Sequence, residues 1–243
     1  MVIVIPMAGE SRRFSEAGYI SPKYELPLAG KSVFRHAVGS FEHYFEDSRF
    51  LFAHRPGAED FIRSECKALG LRSPELVEIS APTRGQAKTV DIALDRAAIP
   101  ATEEIAIFNI DTFRPGFRFP PAKFMDEVDG YSEVFEGSGP NWSYVKPDPA
   151  HPGRALETAE KNEISNLCCT GLYHFKKVGA FRQAFASEKK AVDGELYVAP
   201  LYNRLINVGA AIGYHVIPNE EVVFCGVPAE YESLNQKWKT GDA

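Results

Sequence analysis

Apolar positions along the first half of the chain alternate between two rhythms. Val2-Ile3-Val4-Ile5 is a short β-branched run closed by Pro6, the pattern of a strand buried on both faces inside a parallel sheet. A polar, glycine-containing stretch follows, up to Gly30. Val33, Phe34, Ala37, Val38 and Phe41 then recur at helical spacing and predict a helix over 32–45. The alternation repeats as a strand over 49–53, a helix over 58–69 and a strand over 76–79. Phe61, Ile62, Cys66 and Leu69 share one face of that helix, and Gly70 is its stop. A helix over 86–98 carries Ala87, Val90, Leu94 and Ala97, and a strand over 105–110 runs directly into Asp111. Strands alternating with helices imply a parallel sheet with right-handed crossovers, and such sheets collect ligands outside the carboxyl ends of their strands.

After Phe113 the rhythm changes. Prolines from Pro115 to Pro152 punctuate strand-like runs at 131–135, 142–145 and 168–175, which read as longer antiparallel strands joined by loops. A short helix is predicted over 178–186. Pro200 suits the first turn of a helix running to Val208, with Gly209 as its stop. Late strands at 215–218 and 221–224 precede a closing helix over 228–238. Neither a repeat nor a linker interrupts the chain. The reading is an α/β protein with a mixed, mostly parallel central sheet and flanking helices. It forms one domain over 1–243 with two functional halves, 1–113 and 114–243.

Composition narrows the function classes. The chain has 243 residues, enough for one large domain with a complete core. No apolar run approaches the roughly 20 residues needed to span a bilayer. The apolar N-terminus is too short for a signal-peptide core and has no basic region before it, so a cytoplasmic protein without membrane partners is expected. The net charge is −6 and no Lys/Arg block stands out, which argues against gripping a nucleic-acid backbone. A small phosphate compound needs only a few local positive groups. The four cysteines lack paired metal spacing and read as buried reduced thiols, with Cys168 and Cys169 on opposite faces of a strand. The six histidines are scattered, without a nucleophile–base arrangement legible in sequence.

Chemistry concentrates where strands end. In the stretch 6–14, Ala8 and Gly9 leave the first strand, and a glycine there lets backbone N–H groups approach phosphate oxygens. Arg13 offers a planar fork to a triphosphate, and Lys23, held beside Pro22, offers a point charge. Between a strand and a helix, Gly85 permits close approach of a flat ring, and Gln86 carries both a donor and an acceptor for a base edge. Asp111 ends an apolar strand, where a carboxylate is costly to desolvate unless paired. Mg²⁺ is a natural partner, since it takes one or two carboxylates plus phosphate oxygens. The plain alternatives are a structural turn with solvated basic residues, a helix cap at 83–89 and an Asx-turn at Asp111.

The ordered set Ala8, Gly9, Arg13, Phe14, Pro22, Lys23, Pro27, Gly30 and Lys31 resembles the N-terminal signature of the sugar-phosphate nucleotidyltransferases. Ser11 stands where that signature has its second glycine, and Arg12 where it has Ser or Thr. Further segments follow in the family's order. Glu160 and Lys161 resemble its V-E-K segment, with Asn162 replacing the usual proline, and Thr170 lies in a T-G-x-Y strand. The stretch from Gly194 resembles a G-E-L-x-x-x-D segment in which Pro200 replaces the metal-binding Asp. Glu195 is ranked first as the replacement ligand, and Asp193 is a further candidate.

The resemblance implies the Rossmann-like fold of the nucleotide-diphospho-sugar transferases and an enzyme that joins a nucleoside triphosphate to a sugar phosphate or similar phosphomonoester, releasing pyrophosphate. It implies Arg13 and Lys23 as catalytic groups and Ala8, Gly9, Gly85 and Gln86 around the nucleotide. Glu160, Lys161 and Thr170 would meet the acceptor, and Asp111 and Glu195 would hold Mg²⁺. Two rivals remain at this point: a glycosyltransferase consuming a nucleotide-sugar, of whose D-x-D motif Asn109-Ile110-Asp111 is half, and a non-catalytic nucleotide-sugar sensor.

Overall fold

The strands and helices follow from short apolar runs separated by glycine, proline and polar caps. A computed structural model describes residues 1–188, 192 and 194–240. The first half contains β1 (Val2–Pro6), α1 (Arg12–Glu16), β2 (Pro27–Leu28), β3 (Lys31–Ser32), α2 (Val33–Gly39), β4 (Arg49–His54) and α3 (Glu59–Leu69). It continues through β5 (Pro74–Glu78), α4 (Gln86–Arg96), β6 (Ile105–Phe108) and β7 (Thr112–Phe113). The second half contains α5 (Ala122–Glu127), β8 (Gly130–Glu136), β9 (Ser143–Pro147), β10 (Ala155–Glu160) and β11 (Leu167–Phe175). It closes with α6 (Val178–Ser187), α7 (Leu201–Ile206), β12 (Ile212–Val216), β13 (Val223–Phe224) and α8 (Pro228–Thr240).

One nine-stranded sheet runs through both halves. The expected mixed, mostly parallel sheet with flanking helices is present. In its first half β5, β4, β1 and β6 lie side by side, all parallel. Successive residues of β1 point to opposite faces, as a two-residue period requires. Val2 and Val4 join a core that includes Ala87, Val90 and Leu94 of α4 and Phe181 of α6. Ile3 and Ile5 join a core with Phe34 of α2 and Ile62 of α3.

β11 is where the sheet forks. One of its edges carries β8. On its other edge Leu172–Phe175 pair with β6, while Cys168 pairs with Tyr144 of β9. Over the same stretch β11 shifts register against β8, and Gly171 adopts φ +97°. A strand edge with two successive partners opens where they part. That gap lies at the carboxyl end of β6, beside the carboxyl end of β1. Cys169 faces the main core and Cys168 a smaller cluster with Phe135 and Tyr144, and all four cysteines are buried free thiols.

Several boundaries differ from expectation for identifiable reasons. The helix expected to reach 45 ends at Gly39, where Ser40 turns to accept a hydrogen bond from Arg114 N at 2.8 Å. β6 stops at Phe108 instead of 110, because Asn109 N bonds to the displaced Gly171 carbonyl at 3.2 Å. The strand expected at 215–218 is β12, three residues earlier, and Gly213 lies inside it. A Cβ there would stand 2.8 Å from both Phe124 and Val128, so this glycine serves packing and not a turn. β10 and α5 were not expected. β10 is an edge strand without clean alternation, and Asn203 covers it by accepting from Thr158 N and donating to Thr158 O at 2.8 and 2.7 Å. Among the described residues no helix is long and apolar enough to cross a membrane.

Candidate active site

The chain leaves β1 at Pro6 and enters a loop whose N–H groups at Gly9, Glu10 and Ser11 donate to nothing else among the described residues. Such free donors at a sheet's carboxyl edge suit an anion. Ser11 holds φ +52°, ψ +35°, the left-handed conformation that a glycine adopts at no steric cost. Phe14, buried against Tyr19 and Tyr231, anchors the short α1. Arg12 is tied to Glu10 at 2.8 Å, and this hydrogen bond lowers the pKa of the Glu10 carboxyl. Arg13 has no such partner among the described residues, so it is the uncompensated cation at this end of the cleft.

Pro22 leads into a single 3-10 turn, Lys23–Glu25, that aims Lys23 at Asp111. The Lys23 ammonium donates to Asp111 Oδ2, and the two side chains are 22% and 19% exposed. Asp111 rides on a turn fixed from three sides. Thr112 N bonds Asn109 O at 3.4 Å, the Thr112 hydroxyl donates to Thr170 O at 3.1 Å, and Cys225 N donates to Asp111 O at 2.8 Å. β7 pairs with β13, which brings Gly226 over the carboxylate. A Cβ on Gly226 would stand 3.1 Å from Asp111 Oδ2 and 3.7 Å from Glu230 Oε2, so the Asp111 and Glu230 carboxylates both border this glycine. Glu230 also accepts from Gly226 N at 2.8 Å and caps α8. Burial, with Asp111 and Glu230 adding to it, pushes the Cys225 thiol up to about 12.

The acidic donors in the cleft are few. The described residues contain no cluster of three or more His, Cys, Asp or Glu able to cage an ion. One carboxylate with a second nearby, in a cleft open to phosphate oxygens, suits Mg²⁺, which dehydrates reluctantly and takes few protein ligands.

At the start of α4, Gly85 adopts φ +95° and lies under the backbone of Leu196. A Cβ would stand 2.5 Å from Leu196 N and 2.6 Å from Leu196 O. The close approach that needs this glycine is therefore made by the protein itself. Leu196 N donates to Arg84 O at 2.8 Å and Ala87 N donates to Leu196 O at 3.0 Å, stitching the second half of the chain onto the first. Gln86 Nε2 donates to Asn109 Oδ1 at 2.5 Å. Glu195 pairs through its backbone with Val192 at 2.9 Å and its carboxylate meets the Tyr197 hydroxyl, whose pKa is raised chiefly by burial. Asp193 lies outside the described residues. Pro200 begins α7 as expected.

The opposite wall is built on β9, β10 and β11. Ser143 donates to Glu160 across the β9–β10 pair and stands 3.2 Å from the Tyr173 hydroxyl. Lys161 follows Glu160 at φ +55°, with its N bonded to Trp142 O at 2.8 Å and its ammonium 5.3 Å from the Tyr197 ring centroid. Thr170 turns its hydroxyl toward the sheet, donating to Glu133 at 3.1 Å. Glu133 is also held by Arg114 at 2.7 and 3.0 Å, a pair only 2% and 5% exposed.

One cavity of about 610 Å³ joins these walls. Ala8, Gly9, Arg13, Lys23, Gly85 and Gln86 line it from the first half, with Asp111 at the fork. Glu160, Lys161, Thr170 and Glu195 line it from the second half. Asn109, Trp142, Ser143, Tyr197, Phe224 and Glu230 line it as well and carried no sequence signal of their own. Glu230 had only its place in the first turn of the closing helix.

Comparison with known proteins gives the class and then the family. No protein-family model matches the chain, and no curated protein sequence does. The crystal structure of a nucleoside-diphosphate-sugar pyrophosphorylase from Vibrio cholerae RC9 matches with a TM-score of 0.90 at 45% identity, over 96% of this chain and 99% of that one. An inositol-1-phosphate CTP transferase from T. maritima matches at 0.72 and 15% identity, over 99% and 96% of the two chains. A UDP-glucose pyrophosphorylase complexed with UDP-glucose matches at 0.76 and 12% identity, over 99% and 98%. The last two share the fold alone. The protein is a nucleotidyltransferase by class. It belongs to the sugar-phosphate nucleotidyltransferase family, as the Vibrio cholerae relative's identity over nearly the whole of both chains shows.

Proposed function

We propose that the protein joins a nucleoside triphosphate to a sugar phosphate in a Mg²⁺-dependent reaction that releases pyrophosphate. The observation that carries this is the convergence of Arg13, Lys23 and Asp111 with the free loop N–H groups in one cleft at the carboxyl end of the parallel strands. Residues 1–113 hold the triphosphate and 114–243 the acceptor. Arg13 and the N–H groups of Gly9 to Ser11 hold the β- and γ-phosphates, and the base lies toward Gln86. Lys161 holds the acceptor phosphate, and Glu160 accepts from acceptor hydroxyls. An acceptor phosphate oxygen attacks the α-phosphorus, the bond from that phosphorus to the bridging oxygen breaks, and pyrophosphate leaves.

Both reactants are anionic, so positioning and charge neutralisation make up most of the catalysis. Lys23 neutralises charge on the α-phosphoryl group. Mg²⁺ held by Asp111 would screen phosphate charge. A second carboxylate would come from Glu230, which borders Gly226 together with Asp111, or from Glu195. A glycosyltransferase more often carries a D-x-D motif, and position 109 holds an Asn whose side-chain oxygen accepts from Gln86.

A matrix of the four nucleoside triphosphates against sugar and alcohol phosphates, read by pyrophosphate release, tests the proposal. One productive pair is expected. Failure of every pair, with nucleotide-sugar still bound, would favour a sensor.

A further inference from the structure

The wall of the cleft that carries Lys161 is fixed from the nucleotide half of the chain. Lys161 follows β10 at φ +55°, a conformation that costs a residue with a Cβ. Its N is bonded to Trp142 O at 2.8 Å, so the backbone is set, but the ammonium sits on a flexible four-carbon stem. That ammonium lies 5.3 Å from the Tyr197 ring centroid, and the Tyr197 hydroxyl meets both the ammonium and the Glu195 carboxylate.

Tyr197 is itself held on both sides. Before it, Leu196 N donates to Arg84 O at 2.8 Å and Leu196 O accepts from Ala87 N at 3.0 Å. After it, Val198 and Ala199 are buried in the main core, and the Ala199 carbonyl accepts from the Thr158 hydroxyl at 2.6 Å. Thr158 lies on β10, two residues before Glu160. Residues 196–199 therefore form a strap from the start of α4 to the acceptor strand, and Tyr197 lines the cleft between its two moorings. The strap seats on Gly85, where a Cβ would collide with the Leu196 backbone.

We propose that Tyr197 is a positioning residue: riding on this strap, it holds the Lys161 ammonium where the acceptor phosphate docks, so that acceptor affinity depends on how the strap seats on Gly85. The proposal rests on the acceptor role given above to Lys161. An aromatic face attracts a cation, and the attraction grows as water is excluded. Ordering a flexible lysine before the substrate arrives removes part of the entropy cost that binding would otherwise carry. An ammonium has three donors, so Lys161 can take a phosphate oxygen while it stays over the ring. Tyr197 acts through Lys161 and needs no contact with the reacting atoms.

Double-mutant cycles separate this role from general support of the fold. With the productive triphosphate and acceptor of the matrix above, Tyr197→Leu should raise the acceptor KM about fivefold or more, the size of a partly desolvated cation–π contact. The triphosphate KM and kcat should change much less. In a Lys161→Met background Tyr197→Leu should add little to the acceptor KM, and Tyr197→Phe, which keeps the ring, should recover most of the loss. Gly85→Ala should raise the acceptor KM although residue 85 lies in the nucleotide half, and should not raise it further in the Tyr197→Leu background. Inorganic phosphate, titrated calorimetrically, probes the same lysine without turnover. The part of its binding that Lys161→Met removes should weaken in Tyr197→Leu as the acceptor KM does. Additive effects of the Tyr197 and Lys161 changes, or phosphate binding and acceptor KM untouched by Tyr197→Leu, would overturn the positioning role and leave nucleotidyl transfer intact. Absence of turnover with every triphosphate would instead sink the transfer reading, and the phosphate titration would still decide what Tyr197 does.

Discussion

At the scale of single residues, Lys23 and Asp111 neutralise each other, and the roles proposed for them require that they part when substrates bind. Lys23→Met should lower kcat by at least about a hundredfold, the effect of losing one transition-state charge partner, while triphosphate binding weakens much less. Asp111→Asn should abolish Mg²⁺-dependent turnover. Neither change should alter stability by more than about 1 kcal/mol in urea melts, because the pair is partly solvated. A loss of several kcal/mol with activity kept in the folded fraction would make the pair a structural strut. The second metal carboxylate is separable in the same way. Its place with Asp111 around Gly226 favours Glu230, so Glu230→Gln should raise the Mg²⁺ needed for half-maximal rate by about tenfold, and weaken direct Mn²⁺ binding. If Glu195→Gln does this and Glu230→Gln does not, the ligand is Glu195.

At the scale of elements, the start of α4 joins the two halves of the chain through Gly85. Gly85→Ala would drive a Cβ into the Leu196 backbone and strain a φ of +95°. We expect a loss on the order of 2 kcal/mol in denaturant unfolding. KM for the triphosphate should rise as well, because the 84–87 segment and the Leu196 strap move together. A variant with normal stability would show that the strap yields without cost. The fork at β11 has a similar logic. Gly171 adopts φ +97°, and a Cβ there would collide with the Asn109 side chain. Asn109 N donates to the Gly171 carbonyl at 3.2 Å, and that bond ties the acceptor strand to the residue that bonds Gln86.

At the scale of the whole molecule, the buried Arg114–Glu133 pair holds the fork together. Glu133 receives Arg114 from the segment after Asp111 and Thr170 from the acceptor strand. Glu133→Gln leaves the buried Arg114 guanidinium with only the half-exposed Glu221 carboxylate, at 3.3 Å, and should cost about 3 kcal/mol. Arg114→Met with Glu133→Leu removes both charges and should recover most of that stability. The double variant should still need more Mg²⁺ and more acceptor than the native enzyme, since Asp111 and Thr170 lose their shared anchor. Full recovery of both requirements would reduce the pair to a stability element.

The sequence by itself determined the order of most of the longer strands and helices, though not β10 or α5, because apolar periodicity and caps are local properties of the chain. Val2–Ile5, the helix stop at Gly70 and the Pro200 helix start were legible for that reason. Lys23, Asp111 and Lys161 were legible as candidates because ordered motifs carried them, and the fold places all three in one cleft. Only the tertiary structure decided the fork at β11, the strap of Leu196 over Gly85 and the edge strand covered by Asn203. Each is a pairing of distant segments, as is Lys23 with Asp111, 88 residues apart. It decided in the same way that Glu230 and Asp111 border one glycine and that Trp142 and Phe224 share one wall. Such contacts arise when the backbone groups of one segment find partners and its side chains find space against another, and no local pattern in either segment records the match.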